Sequence, residues 1–236
     1  MNRSRDSRGR EFIRGNKKAG TKVPTTIRIT EIYPAILGES DWAGWPGLIV
    51  RLTGCNLRCS WCDTAFAFTG GRERTVAKVV AAAQKAGRPR VLVTGGEPLC
   101  QPGAPPLLAA LLDAGFRVML ETNGSVDIAA APKAVHVVMD LKAPDSGSSA
   151  ANRFENLDRL KPTDEIKIVI ASRGDYVWAR RQVRERGLAE RFRVSLSPAA
   201  GRVEPADLAG WMLADRLEAR LGLQLHKVLF GNRRRT

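Results

Sequence analysis

The 236 residues include only four cysteines, two histidines and two tyrosines, and aromatic residues make up just 6%. No apolar run approaches the roughly 18–20 residues that a membrane-spanning helix needs, and the amino terminus carries arginines where a secretory signal would carry its apolar stretch. So few cysteines without an export signal argue against a disulfide framework. Clustered thiols in a reducing compartment read as metal ligands or catalytic groups, and the expected location is the cytoplasm. Acidic residues are also scarce, 24 against 38 basic, for a formal net charge of +14. Residues 1–23 contribute +6 of that excess and Arg233, Arg234 and Arg235 another +3, leaving +5 for the remainder. A surplus gathered at two ends is normally a solvated one, so nucleic acid is not the expected partner. Residues 1–25 lack periodicity and are read as a basic, disordered extension. Residues 26–236, with an ordinary apolar content, are read as one domain.

From residue 26 onward, short apolar runs alternate with helical stretches. Strands are expected at 27–32, 48–52, 90–94, 117–121, 135–141, 165–170 and 193–196, and helices at 77–86, 105–114, 175–186 and 204–220. Strands separated by helices imply βα units. The expected fold is α/β, an open partial barrel of the (β/α)6 type with a mostly parallel sheet, whose ligands sit at the carboxyl ends of the strands.

The residues with chemistry to offer fall at those ends. Cys55, Cys59 and Cys62 are spaced C-x3-C-x2-C in the loop after the second strand. Three thiolates so close can share one metal centre. Zinc takes four protein ligands in structural sites or three and a water in catalytic ones, and the only distant candidates are Cys100, His136 and His226. Three packed core thiols are the bland alternative, against which the interleaved Asn56 and Arg58 and the flanking Asp63 speak. A [4Fe–4S] cluster on three cysteines would leave one iron open to a ligand. Thr94-Gly-Gly-Glu-Pro98 ends the next strand, and its glycines permit close backbone approach. Glu121-Thr-Asn-Gly124, Asp140-Leu-Lys142 and Ser197-Pro198 close later strands. Lys142 either serves the mouth or pairs with Asp140. Lys167 either reaches the mouth or snorkels to solvent. His226 is either a site residue or a packed one.

With Trp61 before the third cysteine, the triad resembles the signature of the radical S-adenosylmethionine superfamily. That resemblance implies a [4Fe–4S] cluster on Cys55, Cys59 and Cys62, with S-adenosylmethionine bound at the open iron and cleaved on reduction to a 5′-deoxyadenosyl radical. Gly95, Gly96 and Glu97 would hold the methionyl amine, and Glu121, Asn123, Asp140, Leu141, Lys142 and Ser197 the rest of the cofactor. Ile29-Thr-Glu-Ile-Tyr33, Gly38-Glu-Ser40, Ala43-Gly-Trp-Pro46, Val50-Arg-Leu-Thr-Gly-Cys55, Cys62-Asp-Thr-Ala-Phe66, Asp175-Tyr-Val-Trp-Ala179 and Leu225-His-Lys227 look more narrowly like the 7-carboxy-7-deazaguanine synthase family, from about Thr26 to Gly231. That family contracts 6-carboxy-5,6,7,8-tetrahydropterin with loss of ammonia, a carbon–nitrogen lyase step on the way to queuosine-type bases. It works as a homodimer with Mg²⁺ and an electron donor such as flavodoxin or ferredoxin. The resemblance assigns Mg²⁺ to Thr64 and the substrate to Ile36, Leu37, Gly38, Arg51, Thr94 and His226. An arginine fork suits the substrate carboxylate.

One position departs from the family. Leu37 stands where the family has a Gln whose amide pairs with the pterin edge, and a polar edge left unpaired costs about 1–3 kcal/mol. A Leu37→Gln exchange is therefore expected to tighten substrate binding. Two other readings remain: a different radical enzyme, such as a glycyl-radical activase, or a non-catalytic zinc or nucleic-acid module. Cys100 alone cannot build the second cluster an activase often carries, and no aromatic RNA-binding motif is present.

Overall fold

The computed structural model describes residues 26–231, 233 and 235, together with the backbone of Ser4–Arg5 and Glu11–Phe12, which pair antiparallel. The expected disorder of the amino-terminal extension otherwise lies outside the described residues. Nine strands form one sheet: β1 (Thr26–Ile36), β2 (Pro46–Leu52), β3 (Arg72–Thr75), β4 (Arg90–Gly95), β5 (Arg117–Thr122), β6 (His136–Leu141), β7 (Glu165–Ile170), β8 (Arg193–Pro198) and β9 (Arg220–Leu221). Their spatial order is β9-β8-β7-β6-β5-β4-β2-β1-β3. From β2 to β9 every neighbouring pair is parallel, whereas β1 runs antiparallel to both β2 and β3. The sheet stays open, as a partial barrel does. The antiparallel start follows from chain length, because the nine residues between β1 and β2 are too few for a parallel crossover, which needs a dozen or more.

The helices are α1 (Val76–Ala86), α2 (Ala104–Asp113), α3 (Arg173–Glu185), α4 (Leu188–Arg191), α5 (Pro205–Ala214) and α6 (Leu225–Phe230). Each long one begins where its sequence offers a start. Thr75 Oγ1 accepts from Lys78 N ahead of α1, Ser172 Oγ accepts from Asp175 N ahead of α3, and Pro205 opens α5. The helix expected over 204–220 ends at Ala214. Asp215 leaves it because its carboxylate is held by Tyr176 Oη and Arg180 Nη1, both at 2.8 Å, and the released chain pairs as β9 beside β8. Between β5 and β6, and again between β6 and β7, the chain crosses in short 3₁₀ turns instead of α-helices.

Alternation along the strands divides the sheet into two chemistries. Val50 and Leu52, Val91 and Val93, Val118 and Leu120, Met139 and Leu141, and Ile166 and Ile168 all face the helices in the main core. Each such fully buried side chain contributes about 1.5–3 kcal/mol relative to exposure. The intervening residues face the concave side. A register shift between Ile29 and Glu31 changes the parity of β1, so Ile27, Ile29 and Ile32 pack in or on the core while Glu31 and Tyr33 face inward.

The floor of the concave side is apolar. Leu37, Leu92, Met119 and Val138 are buried together, with Trp42 and Ile49 against them. The loop carrying Leu37 and Trp42 is locked beneath the amino ends of the strands. Asp41 meets Arg193 and Arg220, its amide donates to Glu165 Oε1 at 3.0 Å, and Glu165 also binds His136 and Arg220, each at 2.8 Å. Trp42 stacks on His136 with ring centroids 6.2 Å apart. Glu165 is 1% exposed and joins three partners, so Glu165→Ala is expected to cost about 2–4 kcal/mol, discounted for the half-exposed Arg220. The check is urea unfolding, read as a lower midpoint at an unchanged slope.

Candidate functional site

A cavity of about 680 Å³ opens at the carboxyl ends of the parallel strands. Cys55, Cys59 and Cys62 all line it, from the loop that follows β2. So do Gly95, Gly96, Glu121, Asn123, Asp140, Lys142 and Ser197, and likewise Ile36, Leu37, Gly38, Arg51, Thr64, Thr94 and His226. Glu97 and Leu141 are the two expected site residues that do not reach its wall. Leu141 lies on the helix side of β6 by strand parity and is buried in the main core.

Glu97 is fully buried beneath the cavity and spends its carboxylate on the chain itself. Oε1 accepts from Leu99 N at 3.0 Å and Thr122 Oγ1 at 2.9 Å, and Oε2 accepts from Asn123 N at 2.6 Å. Its own amide donates to Gly54 O at 2.8 Å. Glu97 thereby ties together the loops after β2, β4 and β5. Burial pushes this carboxyl above the usual carboxylate range, against the pull of those three donors.

The cysteine loop is braced from several sides. Asn123 Nδ2 reaches Asn56 Oδ1 at 3.1 Å and Cys55 Sγ at 3.8 Å. Leu57 N donates to Cys55 Sγ at 3.4 Å. Cys59 Sγ lies 3.7 Å from Ser148 Oγ, and Cys62 Sγ lies 3.6 Å from Thr64 Oγ1. Burial raises the Cys55 thiol, and the neighbouring charges of Glu97, Cys59 and Cys62 add to that. Gly96 packs against this loop so closely that a Cβ would sit on the Gly54 carbonyl oxygen and 2.6 Å from Cys55 Cβ.

Above the apolar floor runs a charged belt. Thr94 Oγ1 donates to Glu121 Oε2 at 2.7 Å, Lys142 pairs with Asp140 at 2.9 Å, and Lys167 pairs with Glu39 at 2.6 Å. Lys167 thus reaches the mouth, and Glu39 is its partner. Burial works against the charge of Lys167, but Glu39, Asp140 and Glu121 outweigh it and hold its pKa above the ordinary lysine value. For Glu39, burial is likewise outweighed by Lys167, so its carboxyl stays lowered. Glu121 is raised, chiefly by burial. Lys142 is raised, because Asp140 and the charge of Cys59 outweigh the burial that would lower it.

Arg51 is held by Glu31, Nε to Oε1 at 2.9 Å, and by Tyr33 Oη at 3.4 Å. His226 comes in on α6, where Leu225 N donates to Gly38 O at 2.9 Å, and its ring packs where a side chain on Gly38 would stand. Burial lowers the pKa of His226. Lys227 and Gln224 of the same segment reach Asp63 at 3.1 and 3.4 Å. The sequence reading gave no role to Glu31, Tyr33 or Gln224. The β-bulge turns the first two inward, and only their place in β1 could have signalled it.

Leu37 lines the cavity from its floor. It is 2% exposed, and its Cδ1 would stand 2.8 Å from a Cβ on Gly47. An amide there would be pressed into the apolar floor. Leu37→Gln is therefore expected to lower stability by about 1–3 kcal/mol without tightening substrate binding, checked by paired thermal melts and Michaelis constants.

The model of the radical SAM superfamily matches residues 49–172 of the chain. A 7-carboxy-7-deazaguanine synthase from Koribacter versatilis is 43% identical over 219 residues, covering 86% of this chain and 97% of the relative. The synthase of the same name from Chlorobaculum tepidum is 41% identical, covering 86% and 94%. Among solved structures, QueE from Escherichia coli superposes with a TM-score of 0.71 at 20% identity, over 86% of this chain and 96% of that one. Fold and site together define a radical SAM enzyme, a class that carries a [4Fe–4S] cluster and uses S-adenosylmethionine. Within that class the chain belongs to the 7-carboxy-7-deazaguanine synthase family.

The packing of Gly96 on the cysteine loop yields a test. Gly96→Ala must push the loop carrying Cys55 away from its seat, so iron bound on anaerobic reconstitution is expected to fall at least severalfold while far-ultraviolet circular dichroism stays unchanged.

Proposed function

We propose that the chain converts 6-carboxy-5,6,7,8-tetrahydropterin to 7-carboxy-7-deazaguanine with loss of ammonia, in 7-deazapurine biosynthesis. The observation that carries this reading is that one cavity joins three cysteines, on one loop, to a belt of paired acids and bases over an apolar floor. The donor set fits the cluster. Among the described residues, no three Cys, His, Asp or Glu side chains are gathered closely enough to hold a single metal ion. A cluster instead places each thiolate on a different iron, and three thiolates leave one iron open. Cys55, Cys59 and Cys62 are its proposed ligands. Held there, the cluster would supply the one-electron reduction of S-adenosylmethionine on which the radical chemistry of this class rests.

The chain's own part is to position the reactants and keep water out. Gly95 and Gly96 let the turn after β4 pack directly on the end of β2 and on the loop carrying Cys55, beside the space proposed for the methionyl group. Asn123, Asp140, Lys142 and Ser197 stand around the same mouth for the remainder of the cofactor, and Glu97, which braces the loops around it, is the proposed partner of the methionyl ammonium. The flat heterocycle is assigned to the floor made by Leu37, Met119 and Val138. Thr94, Glu121 and the Glu39–Lys167 pair would meet its polar edge, and Gly38 and His226 would close over it. Arg51 would take the substrate carboxylate. Thr64 offers Mg²⁺ a single hydroxyl, which suits an ion that keeps most of its waters or binds substrate oxygens. A homodimer, a flavodoxin or ferredoxin as electron donor, and a cytoplasmic setting belong to the same reading. Among the described residues, no helix is long and apolar enough to cross a membrane.

The test is anaerobic reconstitution with iron and sulfide, followed by S-adenosylmethionine, reductant, Mg²⁺ and the carboxytetrahydropterin, with products read by mass. 5′-Deoxyadenosine and a deazaguanine are expected together. Cys59→Ala is expected to lose the iron–sulfur absorbance and all turnover, and an intact four-iron cluster in that variant would overturn the ligand assignment.

A further inference from the structure

Glu31 puts a buried carboxylate in the cavity wall. Its side chain is 4% exposed, and among the described residues its two carboxylate oxygens meet two arginines. Oε1 takes Arg51 Nε from the neighbouring strand β2 at 2.9 Å, and Oε2 takes Arg235 Nε at 3.1 Å. Arg235 lies 204 positions further along the chain. It lines the cavity with Gly231 and Arg233, just beyond α6, whose His226 already covers Gly38.

Charge shows what this segment adds. Without it, Arg51 and Glu31 cancel, and Arg51 has no excess charge to offer an anion. With Arg235 in place, the trio carries +1. The same holds for the whole wall. Among the described residues its acids are Glu31, Glu39, Asp63, Glu121 and Asp140, against Arg51, Lys142, Lys167 and Lys227, and Arg233 and Arg235 turn that formally acidic sum basic. Arg233 and Arg235 therefore make the wall's own side chains more attractive to a carboxylate. Arg235 binds Glu31 through Nε, which leaves both terminal nitrogens without a hydrogen bond among the described residues, and its side chain is 63% exposed.

We propose that Arg235 is a specificity-determining residue that completes a two-arginine clamp with Arg51 around the substrate's carboxylate, with Glu31 as the buried anchor fixing the spacing of the two guanidinium groups. This rests on the synthase reading, since it takes the substrate to be carboxylated.

The experiment compares two ligands on the full chain, reconstituted and loaded with S-adenosylmethionine but without reductant, so that binding is read without turnover. One ligand is 6-carboxytetrahydropterin and the other a tetrahydropterin lacking the carboxylate. Wild type is expected to prefer the carboxylated ligand. Arg235→Ala is expected to weaken that ligand about tenfold and to leave the other unchanged, with Arg235→Lys recovering part of the loss as a point charge without the fork. Equal weakening of both ligands would reduce Arg235 to a structural brace and overturn the proposal, as would unchanged discrimination in Arg235→Ala. If wild type itself did not distinguish the two ligands, the synthase reading would fall and the clamp with it. Failure of the clamp alone would show as discrimination that survives in the variant.

Discussion

The site depends on one buried carboxylate. Glu97 sits in the turn after β4 and accepts hydrogen bonds from Leu99 N, Thr122 Oγ1 and Asn123 N, while its own amide holds Gly54 O. These bonds fix the loops after three adjacent strands, β2, β4 and β5, relative to one another. The first of those loops carries the three cysteines, the second the paired glycines, and the third Asn123, which in turn reaches Asn56 and Cys55. Strand ends on their own would leave such loops free to drift, and a cluster shared by three thiolates needs its ligands fixed within a fraction of an ångström. A buried charge is normally a liability. This one is acceptable because three donors meet it, and it turns three independent turns into one rigid rim.

The second constraint is that a sheet buried on both faces has to manage two interiors. On the helix side the solution is aliphatic packing. On the concave side it is graded: an apolar floor of Leu37, Leu92, Met119 and Val138, then paired charges above it. The order along the strands makes this possible, since each strand contributes an apolar residue low down and a polar one two positions later, as in Leu92 and Thr94, Met119 and Glu121, and Val138 and Asp140. The loop holding Leu37 plugs the amino end of the open sheet and is anchored by Asp41 and Glu165. A closed barrel fills its own bottom with side chains from every strand. Here a loop does that work, and its next residues, Gly38 and Glu39, are delivered directly into the belt.

Much of this was legible in the sequence because it rests on period and spacing. The parallel strands from β2 to β8 were readable from apolar runs bounded by Gly and Pro, and the cysteine spacing together with the residues at strand ends located the mouth. What escaped reading depended on contacts between distant segments. The antiparallel β1 reflects loop length and a bulge, and that bulge is what turns Glu31 and Tyr33 inward. The early end of α5 reflects the hold of Tyr176 and Arg180 on Asp215. The motif around Glu97 was legible, but its bracing partners, 2 to 26 positions away, were not. Nothing in the local sequence shows that Leu37 packs beneath β2, β4, β5 and β6.

The Glu39–Lys167 pair shows why such a site is better described as a set of balanced charges than as separate ligand-binding residues. Lys167 is within the influence of Glu39, Asp140 and Glu121, and Glu39 in turn feels Asp63. Removing any one of these charges would leave the others uncompensated in a poorly hydrated space, where that costs far more than in water. A polar heterocycle entering the belt must therefore replace existing pairings rather than add to them. Its donors have to satisfy carboxylates that Lys167 or Thr94 now satisfies, and its acceptors have to meet the cations released. Selectivity then follows from the match between the ligand's donor and acceptor pattern and the pairs it displaces, so a ligand with the right shape and the wrong polar edge would find the existing salt bridges harder to break than its own hydration shell.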